Sequence, residues 1–411
     1  MSTHRFDLFA PEARANPHPI YAEMRRNSPV CQVDPGGIWA VARYDDVLFV
    51  LKHPEIFSSQ GFRVTLLAPW LESNPLADSL LVLDPPEHNR LRALVSRGFT
   101  PGMIAGFEPR VRAIAEELAG ELERLGEADF MASFAVPLPA RVICELLGLD
   151  PTLHAEFKRW ADHLAMVSPV TPSEHIPAVR ATVEAMIGFM KEVIARRRKT
   201  PANDVVTRLL RAEIDGHALS EAEIVGFMSI ILMAGFETTT NLLTKTVLGL
   251  TGRPADIARL RADPALLAGF TEEALRFESP AEIVLRQTTT EVTLSGVTIP
   301  KGAFVAAIIA SAQRDERKFP EPDRFDMARK PDVFIAFGHG PHHCLGAPLA
   351  RLEMKVGLET LLRRFERFER LPGELAWNCT LAVRCPHALP LRFVVPASSS
   401  VRSARYVEAA V

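Results

Sequence analysis

Phe337-Gly338-His339-Gly340-Pro341-His342-His343-Cys344-Leu345-Gly346-Ala347-Pro348 is the stretch on which the reading of this chain turns. Gly338, Gly340 and Gly346 crowd around one cysteine. Glycine belongs where φ is positive or where another body approaches the backbone closely. Next comes Leu349-Ala350-Arg351-Leu352-Glu353-Met354-Lys355-Val356, which has helical periodicity, and Pro348 suits a first helical turn. The spacing therefore puts Cys344 just before a helix N-terminus. There the dipole and the free amides are expected to lower the thiol pKa and favour thiolate. A thiolate in a glycine-lined loop, with Phe337 to pack against a flat body, suits an axial ligand of haem iron. Two other readings use the same residues. One is a buried structural cysteine in a tight turn. The other is zinc, held by His339, His342, His343 and Cys344, with Cys385 and His387 as further ligands.

Composition narrows the class. By length alone, 411 residues make two or three domains. A chain with 47% hydrophobic and 24% charged residues is ordinary for a soluble enzyme. A net charge of −3 argues against nucleic-acid binding and against a basic membrane-surface protein. The five cysteines, Cys31, Cys144, Cys344, Cys379 and Cys385, are odd in number and widely spaced. That pattern points to a reducing, cytoplasmic compartment, not to a disulfide framework. The N-terminus, Met-Ser-Thr-His-Arg-Phe-Asp, has no apolar run, so no membrane anchor is expected.

Read in order, the chain predicts a short helix around 20–26, a strand over 38–42, a helix over 44–52 and an extended piece over 64–67. Asp84-Pro85-Pro86 opens another helix, with Asp84 as its expected N-cap. His88 and Arg92 share one face of that helix. Residues 105–211 are helical almost throughout. Ser220 with Glu223 makes a capping box that starts a long helix ending near 250. Its apolar middle holds Ala234-Gly235-Phe236-Glu237-Thr238-Thr239. A carboxylate and a glycine inside a buried helix are both costly, and such costs collect at functional sites. Glu273 and Arg276 can pair on a later helix. Residues 291–302 read as a β-hairpin, 303–310 as a strand and 385–393 as closing strands. Residues 397–411 lack core periodicity and read as a flexible tail beyond a single domain over 1–396.

The order Phe-Gly-x-Gly-x-His-x-Cys-x-Gly, met by Phe337, Gly338, Gly340, His342, Cys344 and Gly346, resembles the haem-binding loop of the cytochrome P-450 superfamily. Further elements resemble that superfamily in sequence order, over nearly the whole chain. The resemblance implies a mainly α fold with a smaller β-rich region, enclosing haem b between the long helix and the cysteine loop. It implies Cys344 as the metal ligand, and His88, Arg92, Arg286 and His342 as propionate partners. It implies Glu237 and Thr238 as the oxygen-activation pair, with Gly235 leaving room for a diatomic ligand. Ala234, Glu282 and Val284 would line the substrate pocket. Glu273, Arg276 and Arg324 would form a buried network behind the cysteine loop. The implied reaction places one oxygen atom of O2 into a lipophilic small molecule. Electrons would come from NAD(P)H through a ferredoxin and its reductase or a flavodoxin-type donor. Arg351 and Lys355 are candidate docking cations, and the resemblance implies a monomer. A peroxide-driven peroxygenase and a non-catalytic haem sensor or carrier are the competing readings.

Overall fold

In the central helix, Glu221–Thr251, nearly every side of the helix is apolar, and burial on nearly every side is what results. The computed structural model describes residues 5–34, 36–329, 334–378, 380 and 382–396. The expected tail, 397–411, and Cys379 lie outside the described residues. Ser220 caps the central helix, and both halves of its capping box form: Glu223 N–H to Ser220 Oγ at 3.2 Å and Ser220 N–H to Glu223 Oε2 at 2.7 Å. Ile224, Phe227, Met228, Leu232, Leu242, Leu243 and Val247 are all buried. Each such side chain contributes about 1.5–3 kcal/mol of transfer free energy. This helix is long and apolar enough to cross a membrane, but most of it is buried inside the protein. Helices Pro137–Leu146, His154–Ala165, Ile176–Lys199 and Ala347–Arg364 pack around it.

The smaller region is a six-stranded sheet in the order Phe6–Asp7, Val30–Asp34, Ile38–Val41, Phe304–Ile308, Ile283–Thr288, Phe57–Ser58. Phe304–Ile308 runs parallel to Ile38–Val41 and antiparallel to Ile283–Thr288, with Val305 opposite both Trp39 and Arg286. Ser58 stands opposite Gln287 on the outer strand. This register carries Arg286 toward Ser58 and Ser59. The expected hairpin forms between Val292–Leu294 and Val297–Ile299. Its two turn residues, Ser295 and Gly296, have φ of 45° and 78°, as a type I′ turn demands. A three-stranded sheet of Arg367–Arg370, Pro390–Val394 and Glu127–Asp129 closes the C-terminal end.

Two local expectations fail. Residues 64–67, read as extended, belong to the helix Gln60–Leu66 and its C-cap, because β-branched Val64 and Thr65 are tolerated once Leu66 finds a buried contact. Asp84 does not cap the following helix, Glu87–Gly98. Its carboxylate instead accepts from Ser58 Oγ at 2.5 Å and Ser59 N–H at 2.8 Å, tying that helix to the sheet.

Candidate active site

The cysteine loop is fixed from several directions. Cys344 N–H donates to the Phe337 carbonyl at 2.9 Å, and His343 N–H to the Gly340 carbonyl at 3.0 Å. Gly338 and Gly340 have φ of 71° and 70°, where other residues are strained. A Cβ on Gly340 would also meet the Leu51 carbonyl at 2.6 Å. The loop thus lies directly on the helix Tyr44–Lys52. Helix Ala347–Arg364 starts three residues after the cysteine, as its sequence predicts.

Cys344 is exposed, yet surrounding protein pushes its thiol pKa up. Together these place the sulfur in a recess. The expected lowering of the thiol pKa is reversed. Burial dominates, and the Gly346 and Ala347 amides with Arg92 and Arg351 offset it only in part. Arg351 was a candidate docking cation; in the structure it is already engaged. Its guanidinium forks Glu272 at 2.5 and 3.0 Å and lies 4.6 Å from the Phe337 ring centre. Lys355 is half exposed, 3.8 Å from Glu359.

Beside the loop stand four basic groups. The His88 and His342 rings lie 4.2 Å apart, centre to centre. His342 Nε2 meets Ser59 Oγ at 3.0 Å, and Arg92 Nη2 donates to the His343 carbonyl at 2.7 Å. Arg286 is buried, and the only hydrogen bond its side chain makes among the described residues goes to the neighbouring Leu285 carbonyl, at 2.8 Å. Burial lowers the pKa of Arg286 to about 10, with Asp84 opposing it. His342 falls to about 3, first through burial and then through Arg286, His88 and Arg92. With the two histidines held toward their neutral forms, the guanidiniums of Arg92 and Arg286 face one carboxylate, Asp84, which already accepts from Ser58 and Ser59, so the group carries more positive than negative charge. Ser59 was not singled out in the sequence; nothing marks it before the sheet register is known.

On the central helix, Ala234 is exposed although Leu232 and Phe236 are buried. That helix face borders open space. One turn on, Thr238 Oγ1 donates to the Ala234 carbonyl at 2.8 Å. Glu237 is half buried, and burial, then Asp162, raise its pKa while Lys158 lowers it. Lys158 and Asp162 pair with each other at 2.6 Å on the helix His154–Ala165 and reach solvent. Gly235 does not open the turn toward a ligand. A Cβ there would meet Ile143 Cδ1 at 2.9 Å, so its hydrogen faces helix packing.

Val284 lies half buried on the Arg286 strand. Glu282 is different from the expected pocket residue. It is only 1% exposed and accepts from Tyr21 Oη at 3.3 Å. Arg14, Lys245 and Arg384 each stand 3.9 Å from its carboxylate. A buried carboxylate needs such partners, and these cations hold it away from open space.

The Glu273–Arg276 network forms, with one member exchanged. Arg276 forks Glu273 at 2.8 and 2.7 Å, both fully buried. Arg324 gives this network only its carbonyl, at 3.3 Å; its guanidinium is exposed and pairs with Asp326. The second guanidinium on Glu273 belongs to Arg329, at 3.3 Å. A bend at Asp326, whose N–H donates to Glu273 at 2.9 Å, turns Arg329 inward. For the zinc reading, no three His, Cys, Asp or Glu side chains gather as a ligand set among the described residues. Cys385 is buried and His387 exposed.

A sequence model described as Cytochrome P450 matches residues 8–374. The chain belongs to the cytochrome P450 family. It is 38% identical over 388 residues to cytochrome P450 107B1 of Saccharopolyspora erythraea, covering 91% of this chain and 94% of that one. Among solved structures, CYP109Q5 from Chondromyces apiculatus superposes with a TM-score of 0.88 at 39% identity, covering 96% of this chain and 99% of that chain. CYP109E1 from Bacillus megaterium, in complex with corticosterone, gives 0.83 at 35% identity, with 93% and 100% covered. The mainly helical fold with its smaller sheet region is thus the P450 fold, and the chain is a P450 monooxygenase that binds haem. The residues present fit that group on one structural ground. Among the described residues no carboxylate hydrogen-bonds buried Arg286, which stands with Arg92, His88 and His342, and haem carries two carboxylates.

Proposed function

We propose that this P450 binds haem b through Cys344, with its propionates on His88, Arg92, Arg286 and His342. It would insert one oxygen atom of O2 into a C–H or C=C bond of a lipophilic small molecule, releasing the other as water. Steroid-like and polyketide-like molecules are favoured, with fatty acids and terpenoids behind them. The corticosterone bound to the Bacillus megaterium neighbour supports the first of these. Haem supplies the redox chemistry and oxygen activation when bound. The protein's own residues do the rest. A cysteine so held would ligate as thiolate, since metal coordination deprotonates a thiol outright. Thr238 would hold a proton at Oγ1 beside the Ala234 carbonyl. Glu237, its pKa raised by burial, would exchange protons with solvent by way of the Lys158–Asp162 pair. Electrons would come from NAD(P)H through a ferredoxin or flavodoxin-type donor. The chain would act as a cytoplasmic monomer, one domain over 1–396.

The observation that carries this reading is a buried guanidinium with no carboxylate hydrogen-bonded to it, close to an accessible cysteine that faces the Gly346 and Ala347 amides. The test is the reduced, carbon monoxide-treated protein. It is expected to show the red-displaced Soret band of thiolate-ligated haem, lost in Cys344→Ala. A band that survives that substitution removes Cys344 from the metal. Spin-state shifts on adding steroids and macrolides would then rank substrate classes.

A further inference from the structure

Glu353 lies on the cysteine helix, Ala347–Arg364, with its side chain turned toward the central helix. It is 1% exposed, and its Oε1 has no hydrogen-bond partner. Its carboxyl lies against the Thr239 hydroxyl. No charged group acts on it from either helix or from the other elements packed there. Its helix neighbours Arg351 and Lys355 face Glu272 and Glu359 instead. Thr239 Oγ1 in turn donates to the Gly235 carbonyl at 3.3 Å. Gly235 follows Ala234, whose carbonyl takes the Thr238 hydroxyl. Two neighbouring hydroxyls thus cap two neighbouring carbonyls, one on the open face and one behind it.

We propose that Glu353 is a positioning residue for the turn Ala234–Thr239, acting through the Thr239 hydroxyl on the Gly235 carbonyl. The proposal rests on the reading of that turn as the oxygen-activation element. A hydroxyl has one proton to give. When Glu353 is neutral, its O–H donates to Thr239 Oγ1, and Thr239 keeps its own proton on Gly235. When Glu353 is a carboxylate, it accepts the Thr239 proton, and the Gly235 carbonyl loses its side-chain donor and keeps only its helical N–H. Bonds from threonine to the carbonyl four residues back bend a helix. The exchange therefore alters the bend beside Thr238. Burial pushes the Glu353 carboxyl up to about 8, so the neutral form prevails at neutral pH.

Infrared difference spectra of the haem-loaded protein test this without turnover. The carbonyl stretch of a protonated carboxyl should be present at neutral pH, fade in alkali, and be absent from Glu353→Gln. Turnover with a surrogate reductase gives the second readout, peroxide released per NAD(P)H consumed. Wild type should release more as Glu353 ionises. Glu353→Gln, whose amide still donates to Thr239, should stay low and flat across the same range. Thr239→Val should raise peroxide about fivefold over wild type at neutral pH, the worth of one net hydrogen bond, and stay there, so that wild type approaches it in alkali. The double variant should match Thr239→Val alone. An ionised carboxyl at neutral pH, an alkaline rise that persists in Glu353→Gln, or additive effects in the double variant would each overturn the proposal. Absence of the carbon monoxide band in wild type would instead sink the functional reading, on which the infrared result does not depend.

Discussion

On the helix Leu266–Phe277, Glu273 and Arg276 meet through two hydrogen bonds of 2.8 and 2.7 Å, and the carbonyls of Gln313 and Pro322 take further donors at 2.8 and 2.9 Å. The central helix turn, by contrast, has the Thr238 hydroxyl bonded only back to its own helix, the Glu237 carboxyl with no hydrogen bond among the described residues, and Glu353 with one idle oxygen behind it. The first region is over-determined; the second keeps polar groups in reserve. Rigid support suits a ligand that must hold one position. Proton traffic needs hydroxyls and carboxyls that can change partners, and full satisfaction would freeze them.

Substitutions can break this contrast at its extremes. Cys344→Ala should abolish monooxygenation outright while the helices persist, checked by turnover alongside circular dichroism. Arg276→Ala leaves Glu273 buried with only Arg329 beside it. A loss of about 3–5 kcal/mol is expected for breaking such a pair, read as a lowered denaturant midpoint and haem loss. Arg324→Ala should leave that midpoint nearly unchanged, since only its carbonyl takes part; equal damage from both would show that the exposed guanidinium supports the loop after all.

The central-helix side is probed by pH. The Glu353 carboxyl has a folded pKa of about 8 against an ordinary value of 4.5. Between those values the native state binds more protons than the unfolded one, so stability falls as pH rises through that window and levels off above it. The total is on the order of a few kcal/mol. Glu353→Gln should remove that slope, measured by denaturation at several pH values. The smallest effect on the fold is expected from Thr238→Ala. It should keep haem and leave stability within about 1 kcal/mol, the net worth of one hydrogen bond. It should nevertheless divert electrons to peroxide; unchanged coupling would take Thr238 out of proton delivery.

Much of the fold was legible because local signals agreed with burial. The Ser220 capping box and its apolar run gave the central helix almost to the residue, and the glycines gave the cysteine loop. What failed depended on contacts far apart in sequence. Arg324 and Arg329 are both arginines in one irregular stretch, and only the bend at Asp326 decides which guanidinium reaches Glu273. Glu282 shares its strand with Arg286, but Tyr21 and Lys245 come from other elements to claim it. The helix start alone predicts a lowered Cys344 thiol pKa, whereas burial in the walls of the recess, which come from distant segments, outweighs the amides there. Glu353 left one trace, an acid among the apolar positions of its helix, which gains meaning only once Thr239 faces it.

Gly340 has a wider effect than shaping a turn. Its missing side chain lets the cysteine loop rest on the Leu51 carbonyl, so the helical part and the sheet-bearing part of the molecule meet through the very segment that carries the sulfur. Neither part can shift without tugging that segment. Heating should therefore bleach the chromophore and melt both parts together, at one temperature, in place of a staged collapse.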